Sequence, residues 1–429
     1  VALHGLSLGK GALWVAAEAS DVLVALDPTS LTELRRVSAP GRPRTALAVG
    51  DTVWAHSGQG HAVHRFPALA PTGSTPAATG GLGVDPRSPE AAAGQRYFTG
   101  AGRQYAQNWA CNTCHTDGLT DALTWNAGPF ASRLVTRSFF WLEGTWPLGW
   151  QGYLSSIRNY AFTVNTNVGV RPTTDEAERL NAYLSSLMPA PAANGHTARD
   201  GSLSAAGLVG KKLYEGKAKC ASCHALPLTT NQARFGDSIT PGSADVPSLV
   251  GSYRQGVWLK HGEARTLRAG VEAAAAWSKV TLTDKELDSV TRYVSELTAR
   301  DFFVLTSTPR HQASGVAADR PVQLVMSHPV WVDATNLKAI TLEDGAGASV
   351  DAAVSGQGRY LTVTPSKPLT SGASYTVVVG KALRSWNDRG LFSAHRIAFT
   401  VAAAPALKLS GDYRWTVDMP VPKPDFSGF

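Results

Sequence analysis

The sequence predicts a multidomain α + β chain: two tandem all-α domains in the middle, a β segment before them and a β-sandwich after them. Three observations predict it. The pentapeptide C-x-x-C-H occurs twice, as Cys111-Asn112-Thr113-Cys114-His115 and as Cys220-Ala221-Ser222-Cys223-His224. The residues around these motifs repeat at an offset of about 110, with helix-period apolar stripes. Before residue 70 and after residue 310 the pattern changes to short apolar runs broken by turn residues.

C-x-x-C-H is the attachment signature of a c-type haem. Two cysteines three apart each form a thioether to one haem vinyl group, and the histidine that follows supplies the proximal iron ligand. The two motifs use all 4 cysteines of the chain, and each is followed by one of only 11 histidines. A four-cysteine zinc site or a redox dithiol would leave both histidines unexplained, and the separation is long for a zinc ribbon. The expectation is therefore two covalently bound haem c groups. Cys111, Cys114, Cys220 and Cys223 attach them, and His115 and His224 are the proximal ligands.

At 429 residues the chain has room for roughly two to four domains. With 43% hydrophobic and 17% charged residues it has a globular composition. No run of 18 apolar residues occurs, so no membrane span is expected. Haem c is attached outside the bacterial cytoplasm, yet no basic-then-apolar leader opens the chain. A removed leader or a fragment is expected, with a periplasmic or extracellular location. The net charge of +7 is spread thinly. Its densest cluster (Arg35-Arg36, Arg42, Arg44) has no interleaved aromatic platform, so no nucleic-acid partner is expected. Four haem propionates would offset over half of the excess, leaving a solvated surface or a face for an acidic redox partner.

Residues 1–70 read as β, with strands at Gly11–Ala16 and Asp21–Leu26. Gly50-Asp51-Thr52-Val53-Trp54-Ala55 repeats the pattern of Gly9-Lys10-Gly11-Ala12-Leu13-Trp14-Val15 about 40 residues on. The segment resembles YVTN-type β-propeller repeats over less than two blades. Two blades cannot close a ring, so the expectation is missing upstream chain, packing on the haem domain, or another chain that completes the β segment. Residues 71–89, rich in Pro and Gly, read as a linker.

Residues 90–189 and 202–304 read as two cytochrome c domains joined by a linker at 190–201. Gly94-Gln95-Arg96-Tyr97-Phe98 precedes the first motif and Gly210-Lys211-Lys212-Leu213-Tyr214 the second. After the motifs Arg137-Ser138-Phe139 matches Pro247-Ser248-Leu249, Gly152 matches Gly262, and Tyr183 matches Tyr293. Leu180, Tyr183, Leu184 and Leu187 form one closing helical stripe; Leu287, Val290, Val294 and Leu297 form the other. Thr283-Asp284-Lys285-Glu286 reads as a capping box. Residues 310–402 carry strand candidates at Val322–Met326, Tyr360–Thr364, Tyr375–Val379 and Ile397–Val401. With Ser327-His328-Pro329-Val330 and Leu369–Val377 they resemble a bacterial Ig-like module. Residues 403–429 read as a tail.

The haem half resembles the bacterial dihaem cytochrome c peroxidase superfamily, which includes dihaem enzymes that oxidise tryptophan or tyrosine in partner proteins. The matching residues are Cys114-His115-Thr116-Asp117-Gly118-Leu119-Thr120, Trp125 and Trp150-Gln151-Gly152. In the second half they are Asp245-Val246-Pro247-Ser248-Leu249-Val250-Gly251 and Lys260-His261-Gly262. The resemblance implies an electron-transfer haem on His224, a peroxide-reactive haem on His115, and Trp150 as the relay between them. It also implies a redox partner, a cytochrome or a cupredoxin. The chain departs from the family in having no histidine between His115 and His196, no Asp or Glu from Gly144 to Thr174, and Ala273-Ala274-Ala275-Ala276 where an axial methionine belongs. Glu143, Asp117 and Asp121 are acidic but lie off the motif positions. His261 is the candidate distal ligand of the second haem, Lys260 an amine alternative, and Met188 reads as core. His56, His61 and His64 read as a surface loop, as the source of a ligand to the first haem across the domain boundary, or as an adventitious metal site. A non-catalytic electron carrier and a haem-bearing binding or assembly protein remain open beside the peroxidase-like reading.

Overall fold

The computed structural model describes residues 3–83, 88–100, 110–126, 133–152, 154, 157, 172–189, 201–235, 244–298 and 301–403. The expected linker at 190–201 and tail at 403–429 fall almost wholly outside these residues.

β1 (Leu3–Gly9), β2 (Ala12–Ala17), β3 (Val22–Leu26) and β4 (Glu33–Ser38) form an antiparallel meander in that order. β5 (Pro43–Val49), β6 (Thr52–Ser57), β7 (Ala62–Pro67) and β8 (Ala78–Gly81) form a second. Alternation along each strand puts Trp14, Leu23 and Val37 of one sheet into a shared core with Ala46, Val53 and Phe66 of the other. The β unit therefore reaches Gly81, well into the stretch expected to be a linker. Arg65 and His64 on β7 pair with Ala78 and Thr79, so backbone pairing overrides the local Gly/Pro signal.

Between residues 89 and 298 the same plan occurs twice. α1 (Pro89–Thr99) leads to the first motif on α2 (Cys111–Cys114), and α3 (Thr174–Ser186) closes the unit. α4 (Ala205–Glu215) leads to the second motif on a 3-10 turn (Cys220–Ser222), followed by α5 (Leu267–Trp277) and α6 (Asp284–Ser295). Thr173 with Glu176 and Thr283 with Glu286 form reciprocal capping boxes that open α3 and α6. The opening and closing helices of each unit cross at a glycine and an aromatic pair: Phe98 and Tyr183 lie 5.1 Å apart, Tyr214 and Tyr293 5.0 Å. The units are not all-α as expected. Each contains a two-stranded ladder, β9 (Thr124–Trp125) with β10 (Leu134–Val135), and β11 (Arg234–Phe235) with β12 (Ala244–Asp245). Two-residue strands are too short to leave a periodic signal. The chain as a whole mixes many strands with few helices.

The C-terminal sandwich packs two sheets. β13 (Val304–Thr308), β15 (Val322–Met326), β19 (Tyr360–Pro365) and β18 (Ala352–Gln357) form one. The other, in order, is β14 (Ala313–Val316), β21 (His395–Val401), β20 (Ser374–Val379), β16 (Ile340–Asp344) and β17 (Ser349–Val350), with β14 parallel to β21. The domain starts at Val304, before the expected residue 310, because Phe302-Phe303-Val304-Leu305 is buried in the sandwich core and the seam with the helical unit.

The sandwich sits directly on the first helical unit. Trp141, 2% exposed, packs with Phe303 and Leu305 and donates its indole N–H to the Ser327 carbonyl at 3.3 Å. Arg359, 4% exposed, pairs with Glu143 at 2.7 Å. On the other side the β meanders hold the same unit through Arg44 to Asp117 and through Gln59 Nε2 to Thr99 Oγ1 at 2.8 Å.

Candidate haem-binding cavity

One continuous cavity of about 1410 Å³ opens between the two helical units and is lined by Cys111, Cys114 and His115 together with Cys220, Cys223 and His224. Burial pushes the thiols of Cys114 and Cys220 up to about 11; Asp121 adds to the effect at Cys114, and a backbone hydrogen bond partly offsets it at Cys220. Cys114 and Cys220 thus meet the cavity as neutral thiols, one from each motif.

The two histidines are held in the same way. His115 Nδ1 lies 2.8 Å from the Arg137 carbonyl, and its ring stacks on Phe139 at 3.8 Å. His224 Nδ1 lies 3.0 Å from the Thr229 carbonyl and 3.1 Å from that of Pro247. A carbonyl can only accept, so Nδ1 carries the proton in each ring and Nε2 is left as the donor atom for iron. Burial lowers the pKa of both rings, that of His115 to about 4, which keeps them in the neutral form a metal requires. Thiol pairs, neutral imidazoles and an apolar cavity are the donor set and space that a covalent haem requires, and they are present in both units.

The seam between the units is nearly two-fold symmetric. Val135 N–H donates to the Lys260 carbonyl and Asp245 N–H to the Trp150 carbonyl, each at 3.0 Å. Gly152 and Gly262 have φ of +62° and +74°. A Cβ on Gly152 would meet Arg234 and Asp245, and one on Gly262 would meet Thr124 and Val135, so each unit's loop closes against the other unit's ladder.

Trp150 lines the cavity, with its indole N–H donated to the Val135 carbonyl at 2.6 Å and the Arg137 guanidinium 5.0 Å from its ring. His261 does not line the cavity. Its Nδ1 meets the Arg133 carbonyl of the first unit, while the adjacent Lys260 does reach the cavity wall. The acidic residues off the motif positions have other partners: Asp117 pairs with Arg44, Glu143 with Arg359, and Asp121 accepts the Trp125 indole N–H at 2.7 Å. Met188 packs beside Trp141. His64 is a core histidine, 3% exposed, bonded to Thr79 Oγ1 and the Pro40 carbonyl at 2.9 Å each; His56 is exposed on β6 and His61 meets the Gly83 carbonyl. None of these three lines the cavity. Sequence reasoning missed Arg137 and Asp245, which face each other across the seam. The only available signal was their position in the duplicated phrases, and it does not reveal that they pair.

Residues 205–294 match the model of the cytochrome c oxidase cbb3-type subunit III family, and residues 298–401 match the bacterial Ig-like domain. The chain contains a cytochrome c domain and a bacterial Ig-like domain. The first implies covalently bound haem c and redox chemistry. No curated protein matches the chain. Among solved structures, hydrazine synthase of Kuenenia stuttgartiensis is 20% identical over 50% of this chain and 89% of its own, with a TM-score of 0.40. CopC from Methylosinus trichosporium OB3b is 21% identical over 26% of this chain and 99% of its own, at 0.20. The surface-layer protein SbsC is 17% identical over 57% of this chain and 28% of its own, at 0.23. Likenesses of this strength bear on neither mechanism nor substrate. Among the described residues no helix is long and apolar enough to cross a membrane.

Proposed function

We propose that this chain is a two-haem c-type oxidoreductase of the periplasm or cell exterior that exchanges electrons with a partner protein, a cytochrome or a cupredoxin. The single cavity shared by both C-x-x-C-H motifs carries this reading. The family match supports a haem in the second unit, and the duplicated helices, ladders and histidine supports extend it to the first. Bound there, haem c supplies one-electron chemistry and an iron position for a small ligand such as peroxide. The chain's own residues orient and exclude: the Arg137, Thr229 and Pro247 carbonyls fix the imidazoles, Phe139 covers one of them, and Trp150 joins the two sites at the seam.

A peroxidase-like site with an open iron, assigned to His115 by the family resemblance, is the first reading; the cavity wall agrees with it without distinguishing the two irons, and Lys260 reaches that wall. Among the described residues the wall offers no histidine or methionine besides His115 and His224. A non-catalytic electron carrier is the second reading, supported by the engagement of Asp117, Asp121 and Glu143 elsewhere, which leaves none of them to move a proton in the cavity. The N-terminal meanders read as two propeller-like blades that pack on the first helical unit through Arg44 and Gln59, with missing upstream chain or another chain as the alternatives for closing a ring. Low-temperature EPR of the oxidised protein, before and after one equivalent of hydrogen peroxide, separates the two readings. A high-spin ferric signal removed by peroxide is expected. Two low-spin signals indifferent to peroxide would leave an electron carrier.

A further inference from the structure

The near-symmetry of the seam is broken by one pair of side chains. Val135 and Asp245 hold equivalent places on β10 and β12, yet one is apolar and the other a carboxylate. Two residues on, Arg137 is the counterpart of Pro247. Arg137 Nη1 lies 2.7 Å from Asp245 Oδ1 and 3.1 Å from the Gly149 carbonyl. Asp245 is 3% exposed, and its Oδ2 has no hydrogen-bond partner. Both residues line the cavity. Burial pushes the Asp245 carboxyl up and the guanidinium pulls it back.

Replacing a buried ion pair by apolar side chains is often neutral or stabilising, so its presence in the cavity wall calls for a role. Its place in the chain supplies one. The carbonyl that holds His115 belongs to Arg137 itself, and the Pro247 carbonyl that meets His224 lies two residues from Asp245. The pair thus fastens together the two backbone segments that orient the two imidazoles. It also places one charge of each sign in a low-dielectric space, where electrostatic interactions weaken slowly with distance. A carboxylate there favours the more positive, oxidised state of a haem; a guanidinium favours the reduced state.

Resting on the two-haem reading of the cavity, we infer that Arg137 and Asp245 form a positioning pair shared by both haem sites, which sets their two reduction potentials together. Spectroelectrochemical titration of the holo-protein tests this on Asp245→Asn, Arg137→Gln and the double variant. Asp245→Asn shifts both midpoints upward, Arg137→Gln shifts both downward, and the double variant returns both toward their original values. Movement of one midpoint alone, or movement in the same direction in both single variants, overturns the inference. If neither single variant accumulates as holo-protein, the charge-balanced double variant is compared with the unaltered protein by low-temperature EPR of the oxidised haems, whose g-values follow imidazole orientation. A change in the signals of both haems is expected, and an unchanged signal at either overturns the inference. The pyridine haemochrome assay keeps the two levels apart. One haem per chain sinks the reading of the cavity itself, whereas two haems with a single moving midpoint sink only the role of the pair.

Discussion

Gly210 on α4 lies against the Ser289 carbonyl of α6 with no room for a side chain: a Cβ there would overlap that oxygen and press on Tyr293. Gly94 on α1 stands in the same relation to the Arg179 carbonyl and Tyr183 on α3. Each pair of helices can cross this closely only because the position is glycine, and the crossing brings Phe98 and Tyr214 into the packing behind the haem motifs.

Gly210→Ala is therefore expected to force α4 off α6. Overpacking a tight core site costs about 1–3 kcal/mol. Denaturant unfolding should show that loss, and the holo fraction should fall because the Cys220-to-His224 turn follows directly from α4. An unaltered unfolding midpoint would mean that the helices do not meet this closely.

The sandwich should behave as part of the haem-binding body. Arg359→Ala removes the partner of Glu143, and breaking a buried ion pair from one side costs roughly 3–5 kcal/mol. Trp141→Ala removes a buried aromatic side chain, worth roughly 3–5 kcal/mol in a core. Either change is expected to split a single calorimetric transition into two and to open the Asp301 region to limited proteolysis. A sandwich that already melts separately in the unaltered protein would contradict the docked arrangement.

Haem attachment should divide cleanly between the motifs. Mass spectrometry of Cys111→Ala/Cys114→Ala and of Cys220→Ala/Cys223→Ala should each show one covalent haem fewer than the parent. His115→Ala and His224→Ala should retain the attached porphyrin but alter the Soret band of one site each. A parent carrying a single haem would restrict the cofactor to the second unit.

The second helical unit carries an acid-sensitive fastening. Glu296 accepts from the Ser204 amide at 2.9 Å and from its hydroxyl at 2.6 Å, and also pairs with Arg292. Burial alone would raise its pKa, but the Ser204 bonds and Arg292 together hold it below the ordinary 4.5. A carboxylate depressed in the folded state stabilises it fully above the unfolded value, and that stability is lost as pH falls through the folded one. Stability should thus decline as pH drops below about 4.5. In Glu296→Gln part of this decline should disappear, at the cost of a lower plateau near neutrality. Equal acid slopes in thermal melts of the two proteins would rule the fastening out.

Local patterns in the sequence announced much of this molecule. The C-x-x-C-H signature was legible because two thioethers and an iron ligand for one haem come from adjacent residues. The Thr283–Glu286 capping box, the closing stripe through Leu287, Val290 and Val294, and the alternation at Val322–Met326 were legible for a related reason: helix and strand geometry fix which neighbours share a face. The ladders at Thr124–Trp125 and Arg234–Phe235 were not, since two residues carry no period. Register with a family phrase placed His261 over the second haem. The fold instead turns it toward Arg133, because the loop closes against the other unit.

By itself, then, the sequence determined the haem-attachment signatures, the duplication and the kinds of layer the chain can build, all of which depend on residues within a turn or strand of one another. Only the tertiary structure decided that both motifs face one cavity, that the sandwich is docked through Trp141 and Arg359, and that Arg137 meets Asp245. Those contacts join residues more than a hundred positions apart. No local propensity selects such partners; they are chosen by how whole elements pack and by the cost of leaving buried charges and amides unpaired.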